Sequence, residues 1–302
     1  MSSRTSVLTD EQWERIAPFM PKAGPKGGRP HADHRVVMEG IIYRYRTGIP
    51  WRDLPRETFG PYQTVWKRHH RFVVDGTWDQ IWSALLAQAD ADGQIDWEVA
   101  VDSTINRAHQ HATNTTRPEQ DTGAAANHKN RDREPVHNEP AGHGIGRSRG
   151  GLTTKVHHAV DGRGRPLAAV VTAGQCHDGQ QLKAVLADVW VPREVGRPRT
   201  TPDALLADKA YSSAATRADL RARRIQAVIP ERADQKANRK RKGSAGGRPP
   251  VTDFEKYKKR NVVERSFNLL KQWRALATRY DKHATIYRGA VVLAAIIVWL
   301  RS

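Results

Sequence analysis

Three acidic residues stand where they could share a metal ion. Asp102 follows the strand-like segment 97–101, and Asp208 follows the short apolar run 204–207. Both are predicted at C-terminal ends of strands, where ligands collect in α/β sheets. Glu264 lies among cations in YKKRNVVERSFNLLKQWRALATRY, predicted as part of one long helix starting near Asp253. On such a helix Tyr257, Arg260, Glu264 and Lys271, offset by 0, 3, 7 and 14 residues, fall within an arc of about 60° at about 100° per residue. Val262, Val263, Leu269, Leu270 and Trp273 take the broad opposite side and are predicted to face a core. Three converging carboxylates suit Mg²⁺, a hard cation that takes oxygen ligands. Two such ions about 4 Å apart activate a nucleophilic oxygen and stabilise a leaving oxygen in phosphodiester chemistry, and Mn²⁺ is expected to substitute. Arg260 and Lys271, with Lys209 beside Asp208, are candidates for phosphate contact. The plain alternative is that the aspartates cap turns and Glu264 pairs with its cationic neighbours; spacing leaves both open.

The elements that must position these residues follow from pattern. A strand at 97–101, a hairpin of 152–160 and 167–172 around Asp161-Gly162-Arg163-Gly164, a helix over 179–189, strands at 204–207 and 227–229, a helix over 213–223 and an apolar closing helix at 290–300 describe a mixed α/β sheet domain, assigned to 91–302. Residues 1–90 are predicted as a helical domain: Thr9 and Gln12 form a capping box with Leu8 and Trp13 as its staple, and helices follow over about 32–46, 62–74 and 78–89. In the 62–74 helix Tyr62, Val65, Trp66, His69 and Val73 form one stripe, and Gln63, Thr64, Lys67, Arg68 and Arg71 the free basic face. A helix pair whose second member is basic suits major-groove entry in a helix-turn-helix-like arrangement, though a bundle with a solvated basic face fits the same pattern. Residues 107–150 lack periodicity and are expected to form a mobile loop. It carries His109, His111, His128, His137 and His143, but no second ligand type at a metal-site spacing, so zinc is not expected. A basic insertion at 231–252 contains Arg239, Lys240, Arg241 and Lys242, expected as a mobile arm on a DNA backbone.

Composition narrows the partners. Fifty Lys and Arg against 32 Asp and Glu leave +18, with a pI near 10.4 and mean hydropathy −0.70. Such a chain seeks a polyanion, and double-stranded DNA leads the candidates. From 236 to 302 there are 17 basic and 4 acidic residues, so the excess gathers around Glu264. The apolar run 290–300, 11 residues long, falls short of a bilayer span of roughly 20. The start of the chain lacks a signal-peptide core. Cys176, the one cysteine, excludes an internal disulfide. A cytoplasmic, nucleoid-associated protein without membrane or small-molecule substrate is expected.

The motifs together are recognisable. The chain resembles bacterial insertion-sequence transposases of the DDE class, most closely the IS-five group. The pattern Y-x2-R-x3-E-x6-K is complete at Tyr257, Arg260, Glu264 and Lys271, VDST at 101–104 and LADKAYSS at 206–213 match the other two acidic motifs, and GRSRGGLTTKVH at 146–157 looks like the stretch after the first acid. The resemblance spans about residues 8–300. It implies a ribonuclease-H-like core, with Asp102, Asp208 and Glu264 as the metal-binding triad. It also implies cutting of element ends by water, attack of the freed 3′-hydroxyl on target DNA, and a homodimer or higher assembly on DNA. Ala210 stands where many relatives have Gly. Two other functions remain open at this stage: a catalytically inactive DNA-binding regulator or decayed copy, and a nuclease on the same fold.

Overall fold

The computed structural model describes residues 7–22, 32–113 and 143–302. Its centre is a seven-stranded mixed sheet. Strand β1 (Glu98–Ala108) pairs antiparallel with β3 (Gly151–Val160), and β3 carries β2 (Gly146–Ser148) and β4 (Pro166–Ala173) on its other edge. On the far edge of β1, β5 (Ala204–Ala207) runs parallel to residues 98–101, and β6 (Gln226–Val228) runs parallel to β5. The short β7 (Thr278–Arg279) pairs only with Arg107 and Ala108 of β1. Residues 102–106 of β1 therefore have no strand beside them on that edge among the described residues. The order β4–β3–β1–β5–β6, with the first three antiparallel and the rest parallel to β1, is a ribonuclease-H-like core.

β1 is longer than the sequence suggests. The strand was expected to end at Asp102, yet it continues to Ala108, and Asp102 sits mid-strand. Asp, Ser and Asn are poor strand formers, but eight consecutive register pairs with β3, from Ala100–Val160 to Arg107–Thr153, override propensity. The segment expected as a loop over 107–150 is thus ordered at both ends, by β1 with helix α6 (Gln110–Thr113) and by β2. His128 and His137 lie outside the described residues. His109 and His111 stack on each other, and His143 is buried with Nε2 at 2.8 Å from the Ala112 carbonyl.

The helical part comprises α1 (Asp10–Ile16), α2 (His34–Thr47), the short α3 (Arg56–Phe59), α4 (Tyr62–Val74) and α5 (Thr77–Ala91). The Thr9–Gln12 capping box is present, and Gly48 at φ 76° ends α2 in the left-handed conformation that favours glycine. The buried stripe of α4 is Val65, Arg68, His69 and Phe72, so the phase expected from sequence is corrected: Trp66 is 43 % exposed, and Arg68 is buried with its guanidinium 5.9 Å from the Phe72 ring. Arg68 therefore leaves the free basic face. Gln63, Lys67 and Arg71 are exposed and Thr64 is half-buried.

After the hairpin come α7 (Asp178–Asp188), α8 (Ala214–Ala222) and α9 (Ala233–Arg241). Helix α9 replaces the mobile arm expected there. Its Ala, Gln, Lys and Arg content favours helix, Gln235 caps the Arg232 amide at 3.3 Å, and basic residues in the last turn suit the helix dipole. The long helix expected from Asp253 is broken into α10 (Phe254–Lys258), a 3₁₀ turn at 259–261 and α11 (Val262–Lys271), followed by α12 (Arg274–Ala277) and α13 (Ala284–Leu300). Leu269, expected to face the core, is 45 % exposed; Trp273 is buried, but as the residue capping α12. Helix α13 is almost wholly buried between the sheet and α5, joining helical and sheet parts in one apolar core.

Candidate active site on the central strand

The register of β1 and β5 brings the two aspartates together. Val101 is matched with Ala207, so Asp102 and Asp208 follow at equivalent positions of neighbouring parallel chains, about 4.8 Å apart in the pairing direction. Asp208 caps a 3₁₀ turn, its Oδ1 accepting from the Ala210 amide at 2.8 Å. Asp102 Oδ1 accepts from the Ser103 amide at 2.8 Å, which leaves Oδ2 for Arg260.

Glu264 arrives through Arg260. The guanidinium donates from Nη1 to Asp102 Oδ2 at 2.8 Å and from Nη2 to Glu264 Oε1 at 2.8 Å, and lies 6.0 Å from the Tyr257 ring. The 3₁₀ turn interrupts the helix, yet Tyr257, Arg260 and Glu264 still share one side, because every residue in the turn keeps a right-handed helical backbone. Lys256 and Lys259 pin the preceding turn to β1 through Glu98, at 2.9 and 2.8 Å. Lys271 and Lys209 are exposed, Lys271 about two turns along α11 from Glu264. Lys240, Arg241 and Lys242 are exposed on and after α9, whereas Arg239 pairs with Glu231. The structure does not bring the α4 or α9 residues to the carboxylates.

The charge balance decides what the site can hold. Burial pushes the Asp102 carboxyl above its usual range, the Ser103 amide and Arg260 pull it back, and the Asp208 charge adds to the upward push. One guanidinium thus bridges two carboxylates, Asp102 and Glu264, with the Asp208 charge beside them. Among the described residues no three His, Cys, Asp or Glu side chains are placed to hold a metal ion together, since Arg260 links Asp102 to Glu264. The donor set is nevertheless oxygen-only and under-neutralised, which fits a hard divalent cation and disfavours a soft one.

Four further residues surround the site without having been singled out from sequence. Asp178, at the start of α7, accepts at Oδ1 from Ser103 Oγ and Lys155 Nζ, both at 2.8 Å. Tyr211 is buried in the field of Asp102, Asp178 and Asp208; burial first, and those charges next, keep its hydroxyl from ionising. That hydroxyl has no hydrogen-bond partner among the described residues. An aspartate opening a helix reads as a cap, and a lone Lys in a strand reads as solvated. Ser103 in VDST, Lys155 in GRSRGGLTTKVH and Tyr211 in LADKAYSS lie inside matching motifs, whereas Asp178 carried no local signal.

A ribonuclease-H-like sheet with carboxylates on adjacent central strands and a basic helix above them defines a class of polynucleotide-processing enzymes. Comparison with known proteins makes this specific. Residues 93–299 match the family described as "Transposase DDE domain", and residues 8–82 match "Putative transposase of IS4/5 family". The chain belongs to the DDE transposase family, as an insertion-sequence transposase of the IS4/5 type. It is 33 % identical over 150 residues to "Putative transposase for insertion sequence element IS6501" of Brucella ovis, covering 50 % of this chain and 100 % of that one. It is 31 % identical over 146 residues to "Putative transposase for insertion sequence element IS402" of Burkholderia cepacia, covering 48 % and 62 %. An "Insertion element IS402 uncharacterized 16.2 kDa protein" of Burkholderia cepacia is 37 % identical over 108 residues, covering 34 % and 74 %. No solved structure matches. The family acts on DNA and generally uses divalent metal ions. No helix among the described residues is long and apolar enough to cross a membrane.

Proposed function

We propose that this transposase binds the terminal inverted repeats of its insertion sequence, cuts DNA at the element ends, and joins the freed 3′-hydroxyls to target DNA. The observation that supports this is the register-matched pair Asp102 and Asp208, bridged to Glu264 through Arg260. Those three carboxylates would hold Mg²⁺, two ions in the full site, with Mn²⁺ able to substitute. When bound, the metal supplies an activated nucleophilic oxygen and a stabilised leaving oxygen. The protein's own part is positional. Asp102 and Asp208 each give one oxygen to a backbone amide, so their second oxygens, that of Asp102 held by Arg260, extend from a rigid strand pair. Arg260, freed from Glu264 when that carboxylate is engaged elsewhere, gains a phosphate as its second partner; guanidinium and phosphate match as a bidentate pair. Tyr257 backs that guanidinium, while Lys209 and Lys271 steady the strand on either side. Gln63, Thr64, Lys67 and Arg71 on α4 would read or grip the repeat, and Lys240, Arg241 and Lys242 would follow the backbone, making binding strongly salt-dependent. Joining two ends in one reaction favours a dimer or higher assembly on DNA.

The test is cleavage of duplex DNA carrying the element ends, with Mg²⁺ or Mn²⁺. Asp102→Ala, Asp208→Ala and Glu264→Ala should each abolish cutting while the gel shift on the same DNA persists. Full cutting by any one of them would overturn the assignment.

A further inference from the structure

Helix α8 ends in an unusual backbone. The Ile225 amide donates to the Leu220 carbonyl at 2.8 Å and the Arg224 amide to the Arg221 carbonyl at 3.0 Å, the paired bonds of a helix closed through a left-handed residue. That residue is Arg224, at φ 58°, in a conformation that favours glycine. Among the described residues it is the one residue other than glycine with a positive φ. Side chains kept in such a backbone gather at functional sites.

Arg224 does not stand alone. It lines a cleft of about 730 Å³ with Arg221 of α8 and with Arg248, which arrives from the segment after α9. All three are exposed, and none makes an ion pair or a side-chain hydrogen bond among the described residues. Arg217, one turn before Arg221, lines the same cleft and is tied to the Ile229 carbonyl at 2.6 Å. Asp219, the one acid of α8, lies about 200° round the helix from Arg217 and from Arg221. The helix dipole accounts for a basic residue in the last turn. It does not account for Arg248, nor for an arginine in the conformation of glycine.

We propose that this cleft grips the phosphate backbone of duplex DNA without regard to sequence, a role that rests on the DNA reading above but not on the metal assignment. Guanidiniums match phosphates as bidentate donors, and contacts of that kind position a duplex rather than read its bases. Gln226, at the cleft, is the register partner of Ala204, and Asp208 stands four residues further along β5. Four strand residues span about 13 Å, or about four base steps of a duplex. Arg248 also lines an adjoining cleft with Lys242, so the hold continues into the exposed residues 240–242.

Fluorescence anisotropy of the full chain with a labelled duplex of arbitrary sequence, about 20 base pairs long, tests this without cleavage when read between about 50 and 200 mM salt. With Arg221→Gln, Arg224→Gln and Arg248→Gln combined, the slope of log affinity against log salt should become shallower by about 2 to 3, since each phosphate contact contributes about 0.9. Affinity at the lower salt should fall by more than about tenfold. Arg15→Gln, Lys183→Gln and Arg197→Gln remove the same charge from exposed positions elsewhere, and together should leave the slope within about 0.5 of wild type. Arg224→Gly is the sharper probe, because folding and binding oppose each other there. Glycine at the left-handed position should raise the melting temperature by about 2 °C while weakening DNA binding several-fold. A wild-type slope in the first triple variant would overturn the proposal, as would an equal loss in the second, and the assignment of Asp102, Asp208 and Glu264 would stand in either case. A lower melting temperature for Arg224→Gly would overturn it too, since the side chain would then serve the fold.

Discussion

Neighbouring residues of one strand carry two polar clusters of opposite character. Asp102 points to the α11 side of the sheet, where it shares a single guanidinium with Glu264 and lies beside Asp208. Ser103 points to the α7 side, where Asp178 closes a compact set with Ser103 and Lys155. Burial acts upward on both aspartates, but the outcomes differ in sign. The Asp102 carboxyl stays above its ordinary range, while the hydrogen bonds from Lys155 and Ser103 carry Asp178 below it. A neutralised cluster holds a fold together; an under-neutralised one stores demand for a cation. The alternation of a β-strand lets a single residue step separate the two tasks.

Acid should break both sides at once, and this is the largest effect expected. His157 on the α7 side is held near pKa 4 and His158 on the α11 side near 3, chiefly by burial, and His69 in the helical part is also near 3. These values lie below the ordinary 6.5, so the unfolded chain takes up protons that the folded chain refuses. Stability is therefore complete above pH 6.5 and falls as pH drops from there toward 4. At pH 5 the three together cost roughly 6 kcal/mol, comparable with the whole stability of many domains. Urea midpoints at pH 7 and pH 5 measure it, and unchanged midpoints would show that these rings reach water. In NMR titrations none of the three should protonate above pH 5.

Next in size is removal of the charge at the centre of the neutral cluster. Asp178→Asn leaves Lys155, 12 % exposed, without its counter-charge although its bond to the Cys176 carbonyl remains, and should cost about 2 kcal/mol at pH 7. Because the Asp178 pKa is lowered, its contribution is present above pH 3.8 and disappears as pH falls through the folded value. The gap between mutant and wild-type denaturation midpoints should therefore persist down to about pH 4 and close below it. An Asp178→Asn protein as stable as wild type would mean that solvent already screens this pair.

What the sequence discloses about these clusters depends on how local each cause is. Asp208, Tyr257, Arg260 and Glu264 are legible because a strand end and a helical spacing are written in consecutive residues. So are the hairpin, α4, α7, α8 and the buried closing helix. Asp178, Lys155 and Ser103 are not, since they meet only through the pairing of β1 with β3 and the seat of α7, and each alone passes for a cap or a solvated side chain. The length of β1 is hidden for the same reason: DSTINRA looks like a turn until eight rungs of ladder hold it extended. The phase of α4 failed on Arg68, whose long apolar stem lets a charged residue occupy a buried stripe. The break at 259–261 is invisible because Lys, Arg and Asn fit either kind of helical turn.

The smallest predicted effect has the opposite sign and separates the two clusters most cleanly. The raised Asp102 pKa means that its ionised form is the one the fold disfavours. Its favourable contribution is present below pH 3.8 and is lost as pH rises through the folded value, so at neutral pH the charge is a liability to the folded state. Asp102→Asn keeps the shape but has one acceptor oxygen where the carboxylate uses two, for the Ser103 amide and for Arg260, and it removes the repulsion with Asp208. It should raise stability by about 1 kcal/mol at pH 7, the trade expected if the proposed catalytic role holds, and the gain should fade toward pH 4. The same residue is assigned to metal binding, so the variant should be both more stable and unable to cut. If Asp102→Asn instead lost stability as Asp178→Asn does, the carboxylate at 102 would be a structural member of the sheet, its charge already balanced by Arg260. Glu264 and Asp208 would then have to account for the metal site without it.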